Sequence, residues 1–339
     1  MKIVIVGCGN VGTALVEQLS GEGHNITVVD EKEELVQAIT NTYDIMGIIG
    51  NGAVYSVQLE AGVGEADLLI AVTGQDELNL LCCLIARKAG GCHTIARVSN
   101  PVYYKEIAFI KEELGLSLVI NPQNAVAMEI ARLLKFPSAL EIDTFAKGRV
   151  ELVKYRIPED SVLCDMQLKD VSSRFKSDVL ICVAERGEEV HIPDGNFALK
   201  AGDDITIVAA SAKIAAFFKK IGVPTMRAKD AMVIGGGGTS YYLATLLLDM
   251  GVKVKIVDKS RARCEELCEL VPNAMVICGD GTERDLLLEE GLAKAESVVS
   301  MMDFDEENIM LSLYAKSISK AKVITRIHRI AYDEIIENL

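Results

Sequence analysis

Gly7, Gly9 and Gly12 follow an apolar run in the segment "KIVIVGCGNVGTA", and an acidic residue, Asp30, ends the next apolar run, "NITVVD". This spacing suits one chemistry, the holding of a dinucleotide. Gly7 permits a tight turn, Gly9 lets backbone approach a pyrophosphate, and Gly12 lets a helix pack close to its strand. The phosphates would meet the free N–H groups of a helix opening with Asn10 and Val11, just after Cys8. Asp30 would accept hydrogen bonds from the adenosine ribose and repel a 2′-phosphate, which favours NAD(H) over NADP(H).

Such a turn works only if a strand feeds it and a helix leaves it. The sequence supplies both and then keeps alternating. Strand patterns at 45–50, 68–72, 94–98 and 116–120 are separated by helical patterns at 54–61, 77–89 and 102–114. Repeated βαβ units imply a doubly wound parallel sheet whose ligand lies beyond the carboxyl ends of the strands. The residues just past those ends are therefore candidates: Gly50, Asn51, Gly52, Ala53, Thr73, Gly74, Arg97 and Asn121.

The same arrangement recurs. Sliding the chain by 228 residues places Gly7 on Gly235, Gly9 on Gly237 and Asp30 on Asp258. Sliding it by 229 places Asn51 on Asp280, Gly62 on Gly291, Asp76 on Asp305, Asn79 on Asn308 and Arg97 on Arg326. One residue of slippage over such a length marks an internal duplication, so a second Rossmann-like unit is expected. Its candidate ligand residues are Gly235, Gly237, Gly238, Thr239, Asp258, Asp280 and Arg326. The copies differ where Ser240 replaces Gly12, Gly238 replaces Asn10 and Met302 replaces Thr73. Serine is small enough to keep the helix close, whereas losing the Thr73 hydroxyl removes a donor to phosphate or ribose.

Residues 140–222 break the α/β rhythm. "GRVELVKYRIPEDS" alternates like a strand, "MQLKDVSSRF" reads as a short helix, "DVLICVAERGEEVHIPDG" reads as two strands about Arg186-Gly187, and "ALKAGDDITIVAA" leads into another strand. A helix, "SAKIAAFFKKIG", closes the segment. This is a small α+β module without a grouped acid and base for catalysis. His191 and Arg186 are read as surface-turn residues. Boundaries are expected near Phe136-Pro137-Ser138 and in the linker 223–230, where Pro224 marks the helix exit. The domains would span 1–136, 137–224 and 230–339.

With 339 residues, half of them hydrophobic, the chain can bury several cores. Its apolar runs are far too short to span a membrane, and no secretory leader is expected, which points to the cytosol. The net charge of −14 opposes binding to nucleic acid or anionic lipid. Nine cysteines lack Cys-x-x-Cys spacing, and Cys82, Cys83, Cys264 and Cys268 are read as core residues, not as metal ligands. His24, His93, His191 and His328 lie far apart and show no ligand pairing.

"MKIVIVGCGNVGTALVEQL", "VVDEKEE", "GNGA", "ADLLIAVTGQDELNLL" and "TIARVSNP" together resemble the nucleotide-binding domain of the TrkA family, regulators of potassium conductance. "DSVLCDMQLKDV" and "RGEEVHIPDGNFALKAGDDITIVA" resemble that family's small regulatory domain. The resemblance covers essentially the whole chain. It implies a non-enzymatic regulatory subunit, peripheral on the cytoplasmic face of the membrane, which forms a ring under a Trk-type potassium transporter. It places NAD(H) in the first unit at residues 7–11, Asp30, Asn51, Thr73 and Arg97, and NAD(H) or ATP, ADP or AMP in the second. A final small domain found in full tandem members has no counterpart before Leu339. The competing reading is an NAD-dependent dehydrogenase, which shares the cofactor site but needs a proton-transfer group facing the nicotinamide.

Overall fold

Strands that bury both faces read as continuous apolar runs, and Lys2–Val6 (β1) shows why. Ile3 and Ile5 join one core with Val16 and Val28, while Val4 and Val6 join another with Leu69, Ala71, Cys82 and Cys83. Each fully buried aliphatic chain contributes about 1.5–3 kcal/mol. The two cores therefore hold the first sheet from both sides.

The computed structural model describes residues 1–135, 140–145, 149–187, 189–223 and 228–327. The expected boundary at Phe136-Pro137-Ser138, the linker residues 224–227 with Pro224, and His328 lie outside the described residues. The chain divides into two units, Met1–Ala125 and Val126–Leu339.

In the first unit β1 is followed by α1 (Asn10–Gly21), β2 (Asn25–Asp30), α2 (Glu33–Thr42), β3 (Met46–Ile49), α3 (Tyr55–Glu60), β4 (Leu68–Ala71), α4 (Asp76–Gly90) and β5 (His93–Arg97). Then come α5 (Pro101–Lys105), α6 (Ile107–Leu114), β6 (Leu118–Ile120) and α7 (Pro122–Lys135), the last continuing into the second unit. The sheet order is β3-β2-β1-β4-β5-β6, with every pair parallel. This is the doubly wound Rossmann-like order, and the chain reverses direction across the sheet between β1 and β4. The helix expected over 102–114 is broken at Glu106 into α5 and α6.

The second unit opens with the small module: β7 (Glu141–Phe145), β8 (Val150–Arg156), α8 (Leu168–Phe175), β9 (Leu180–Arg186), β10 (Glu189–His191), β11 (Asp204–Ala209) and α9 (Ser211–Lys220). Its strands pair antiparallel in the order β10-β9-β11-β8-β7. Ile214, Phe217 and Phe218 of α9 pack with Val153, Tyr155, Ile205 and Ile207 from the sheet. Arg186 is not the solvated turn residue expected from sequence. Its Nε and Nη2 each donate at 2.8 Å to the Asp203 carboxylate, which is only 1% exposed, and its guanidinium lies over the Phe197 ring. Ion pairing of a buried carboxylate outweighs the polar character of the turn.

The α/β pattern then returns with β12 (Asp230–Ile234), α10 (Gly238–Asp249), β13 (Lys253–Asp258), α11 (Arg261–Leu270), β14 (Met275–Cys278), α12 (Arg284–Glu289), β15 (Ser297–Ser300), α13 (Asp305–Ile318) and β16 (Lys322–Thr325). The parallel order β14-β13-β12-β15-β16 repeats the first five positions of the first sheet. The fold read from the sequence is therefore the fold observed: tandem Rossmann-like sheets separated by a small α+β domain.

Candidate functional site

Gly7 lies at φ +106°, a conformation that side chains rarely adopt, and a Cβ there would sit 2.8 Å from the Thr73 amide nitrogen. A Cβ on Gly12 would overlap the Gly7 carbonyl oxygen, whereas nothing lies within 4 Å of the place where one on Gly9 would stand. The turn thus packs tightly at its two ends and stays open in its middle. No side chain caps α1, so the N–H groups of its first turn at Asn10 and Val11 are available to an anion.

Asp30, at the end of β2, is bound to this turn. Its Oδ2 accepts the Cys8 amide at 2.8 Å and its Oδ1 accepts the Lys32 amide at 2.9 Å. Each carboxylate oxygen has two lone pairs, which leaves one on each oxygen for a ribose hydroxyl. Burial, with the Asp30 charge adding to it, pushes the Cys8 thiol up to about 12, so Cys8 serves through its amide, not as a thiolate.

The remaining candidates meet the same edge of the sheet through a few contacts. Asn51 Oδ1 accepts the Ala53 amide at 2.8 Å, and a Cβ on Gly52 would overlap the Val6 side chain. Buried Gln58 donates to the Gly52 carbonyl at 2.6 Å and holds that loop down. Asn79, also buried, accepts the Thr73 amide and hydroxyl at 2.8 and 2.7 Å. It returns hydrogen bonds to the carbonyls of Thr73 and Arg97. The donor proton of Thr73 is therefore spent on Asn79 of α4. Gly74 follows with open space around it, and Arg97 Nε reaches Ser99 Oγ at 3.4 Å. Asn121 is buried and its Oδ1 accepts the Asn124 amide at the start of α7.

The second copy reproduces this plan. Gly235 lies at φ +102°, and Asp258 Oδ2 accepts the Gly236 amide at 2.6 Å while Oδ1 accepts the Ser260 amide at 2.8 Å. Ser240 does more than fit in place of Gly12: its hydroxyl donates to the Gly235 carbonyl. Asn308 accepts the Met302 amide and donates to the carbonyls of Met302 and Arg326, as Asn79 does in the first copy. Gly235, Gly237, Asp258, Asp280 and Arg326 line one cavity of about 310 Å³. Gly238 opens α10 and Thr239 is buried in its first turn; neither lines the cavity. Asp280 is held below the usual carboxylate range by the Thr282 amide and hydroxyl.

Arg263 belongs to this cavity and was not anticipated. Its Nε donates to the Gly236 carbonyl at 2.6 Å and its Nη2 to the Gly237 carbonyl at 3.2 Å. The repeat puts Leu35 at the same place in the first copy, so the signal was a charge gained between two otherwise matched segments. Among the described residues no group of three His, Cys, Asp or Glu side chains is arranged to hold a metal ion. No described helix is long and apolar enough to cross a membrane.

The TrkA-N domain model matches residues 3–122 and again 231–339, and the TrkA-C domain model matches residues 152–222. The chain belongs to the TrkA family. The Trk system potassium uptake protein TrkA homolog of Archaeoglobus fulgidus is 32% identical over 337 residues, covering 99% of this chain and 76% of that relative. The TrkA of Haemophilus influenzae is 31% identical over 346 residues, with 99% and 74% covered. Among solved structures, the GsuK RCK domain aligns with a TM-score of 0.73 at 18% identity, covering 99% of this chain and 71% of that one. The GsuK channel bound to NAD aligns with the same TM-score at 17% identity, covering 99% and 59%. At these identities the two structures share the fold with this TrkA family member. The family resemblance read from the residues is borne out.

Proposed function

We propose that this chain is a cytosolic nucleotide-sensing regulatory subunit of a potassium uptake transporter, not an enzyme. NAD(H) occupies the first glycine turn, with its pyrophosphate on the α1 amides and its adenosine ribose on Asp30. The second turn takes NAD(H) or an adenine nucleotide against Gly237, Asp258 and Arg263. Residues 1–136, 137–224 and 230–339 act as three domains, and copies of the chain assemble as a ring on the cytoplasmic side of the transporter. The net charge of −14 sets it against nucleic acid and anionic lipid as partners.

One observation carries this reading: in both copies a carboxylate at the end of the second strand is fixed by two backbone amides and keeps lone pairs for a sugar. Two such cradles in one chain suit sensing, since a ligand shifts a conformational equilibrium only by its difference in affinity between the states. Moving that equilibrium from 1:99 to 99:1 takes about 5.5 kcal/mol, which several sites in a ring can share.

Calorimetric titration of NAD, NADH, ATP and ADP into the chain and its D30A variant is the test. The expected result is dinucleotide binding that D30A weakens selectively. Equal binding by both, or none by either, rejects the sensor. Turnover of an alcohol or 2-hydroxy acid with NAD would instead support a dehydrogenase.

A further inference from the structure

Cys264, in the first turn of α11, is buried, and its thiol donates to the Asp258 carbonyl at 3.3 Å and the Ile277 carbonyl at 3.7 Å. Both carbonyls flank Cys278, since Ile277 precedes it in β14 and Asp258 is its partner across the sheet. Cys278 ends β14, is exposed, and pairs in register with Asp258. The exposure of Cys268 departs from its reading as a core residue. In the first copy the places of Cys264 and Cys278 are held by Val36, 4% exposed, and Ile49, 52% exposed. The fold thus fills both positions with aliphatic side chains, and packing does not call for sulfur at either.

We propose that Cys264 and Cys278 form a reversible disulfide that regulates the adjoining second cavity. The regulatory clause rests on the nucleotide reading of that cavity. The reaction is exchange with a small-molecule disulfide RSSR. The exposed Cys278 thiolate attacks one sulfur, forming a mixed disulfide and releasing one thiolate. Cys264 then loses its proton to solvent, attacks the Cys278 sulfur and expels the second thiolate. Two protein thiols are oxidised and one RSSR becomes two RSH. Burial and the neighbouring Cys278 hold the Cys264 thiol above its ordinary range, which makes Cys278 the first to react.

A disulfide requires the sulfurs to close to about 2.05 Å and takes away the Cys264 proton, so the thiol hydrogen bonds to the Asp258 and Ile277 carbonyls are lost. Arg263 precedes Cys264 and holds the carbonyls of Gly236 and Gly237, and Asp258 lies between the two cysteine-bearing elements. Closure therefore breaks a hydrogen bond to Asp258, which lines the cavity, next to Arg263, which lines it too.

The test treats the full chain with bis(2-hydroxyethyl) disulfide, maps disulfides under non-reducing conditions, and follows hydrogen exchange of residues 235–240 and ADP binding before and after. Expected are a Cys264-to-Cys278 linked peptide, absent in C278S and kept in C268S, altered exchange in the turn, and an ADP affinity changed about fivefold or more and restored by dithiothreitol. Trapping of Cys278 only as a mixed disulfide, or a link from Cys268 to Cys278, overturns the disulfide. A linked chain with unchanged exchange and ADP affinity overturns the coupling. Failure of the reduced chain to bind either ADP or NADH at the second cavity overturns the nucleotide reading and with it the regulatory clause, while the mapping still decides the disulfide.

Discussion

Ser300 donates its hydroxyl to Asn308 Oδ1 at 2.7 Å, with both side chains fully buried. In the first copy the equivalent asparagine, Asn79, takes its hydroxyl from Thr73, at a position two residues further along the repeat. The two copies therefore satisfy the same amide with hydroxyls from different positions. Met302 in the second copy is compensated by a serine on the preceding strand.

This exchange predicts a rescue. S300A should cost about 1 kcal/mol, the net worth of one hydrogen bond, since the Met302 amide still serves Asn308. Adding M302T to S300A should restore much of that loss, because the new hydroxyl stands where Thr73 stands in the first copy. Urea midpoints of the three proteins decide it. No recovery in the double variant would show that the two arrangements are not interchangeable.

The glycine turns, the two aspartates and the duplication were legible because backbone sterics leave few choices there. Gly7 needs positive φ, and Gly12 touches a carbonyl. Side-chain hydrogen bonding was less legible. Thr73 reads as a ligand donor, but its proton goes to Asn79, which lies six residues away and on another element. The strand β7 escaped notice because it is five residues long, with Ile142 buried and Glu141, Asp143 and Phe145 exposed, too short a pattern to stand out. Arg186 and Asp203 are 17 residues apart, and only the folded sheet brings them together.

Asp30 is expected to carry discrimination at the first turn. D30N removes the charge and half of the acceptors that face a ribose, so NADH affinity should fall at least about tenfold, or 1.4 kcal/mol. D258N should leave that affinity unchanged. Calorimetry on both variants checks this, and a loss in D258N with none in D30N would mean that NADH prefers the second cavity.

Arg263 supplies a fixed cation to the second cavity. A charge-assisted hydrogen bond contributes about 1.5–3 kcal/mol. R263A should therefore weaken ADP by about tenfold or more and leave NADH at the first turn unaffected. If ADP affinity rises instead, the guanidinium acts as a plug on the turn carbonyls, not as a ligand group.

The Arg186 and Asp203 pair predicts a pH signature. Burial opposes ionisation of Asp203, but the Arg186 hydrogen bonds and the Lys200 amide outweigh it and hold its carboxyl below the ordinary value of 3.8. A lowered folded pKa contributes stability that is complete above the ordinary value and is lost as pH falls through the folded one. R186M leaves the carboxylate buried without its cation and should cost about 2–3 kcal/mol at pH 7. That difference should shrink as acid protonates Asp203, because a neutral carboxyl no longer needs the guanidinium. Urea midpoints of the antiparallel sheet at neutral and strongly acidic pH measure both values. An equal deficit at the two would assign the role of Arg186 to its packing over Phe197, 5.2 Å from the ring centre, instead of to its charge.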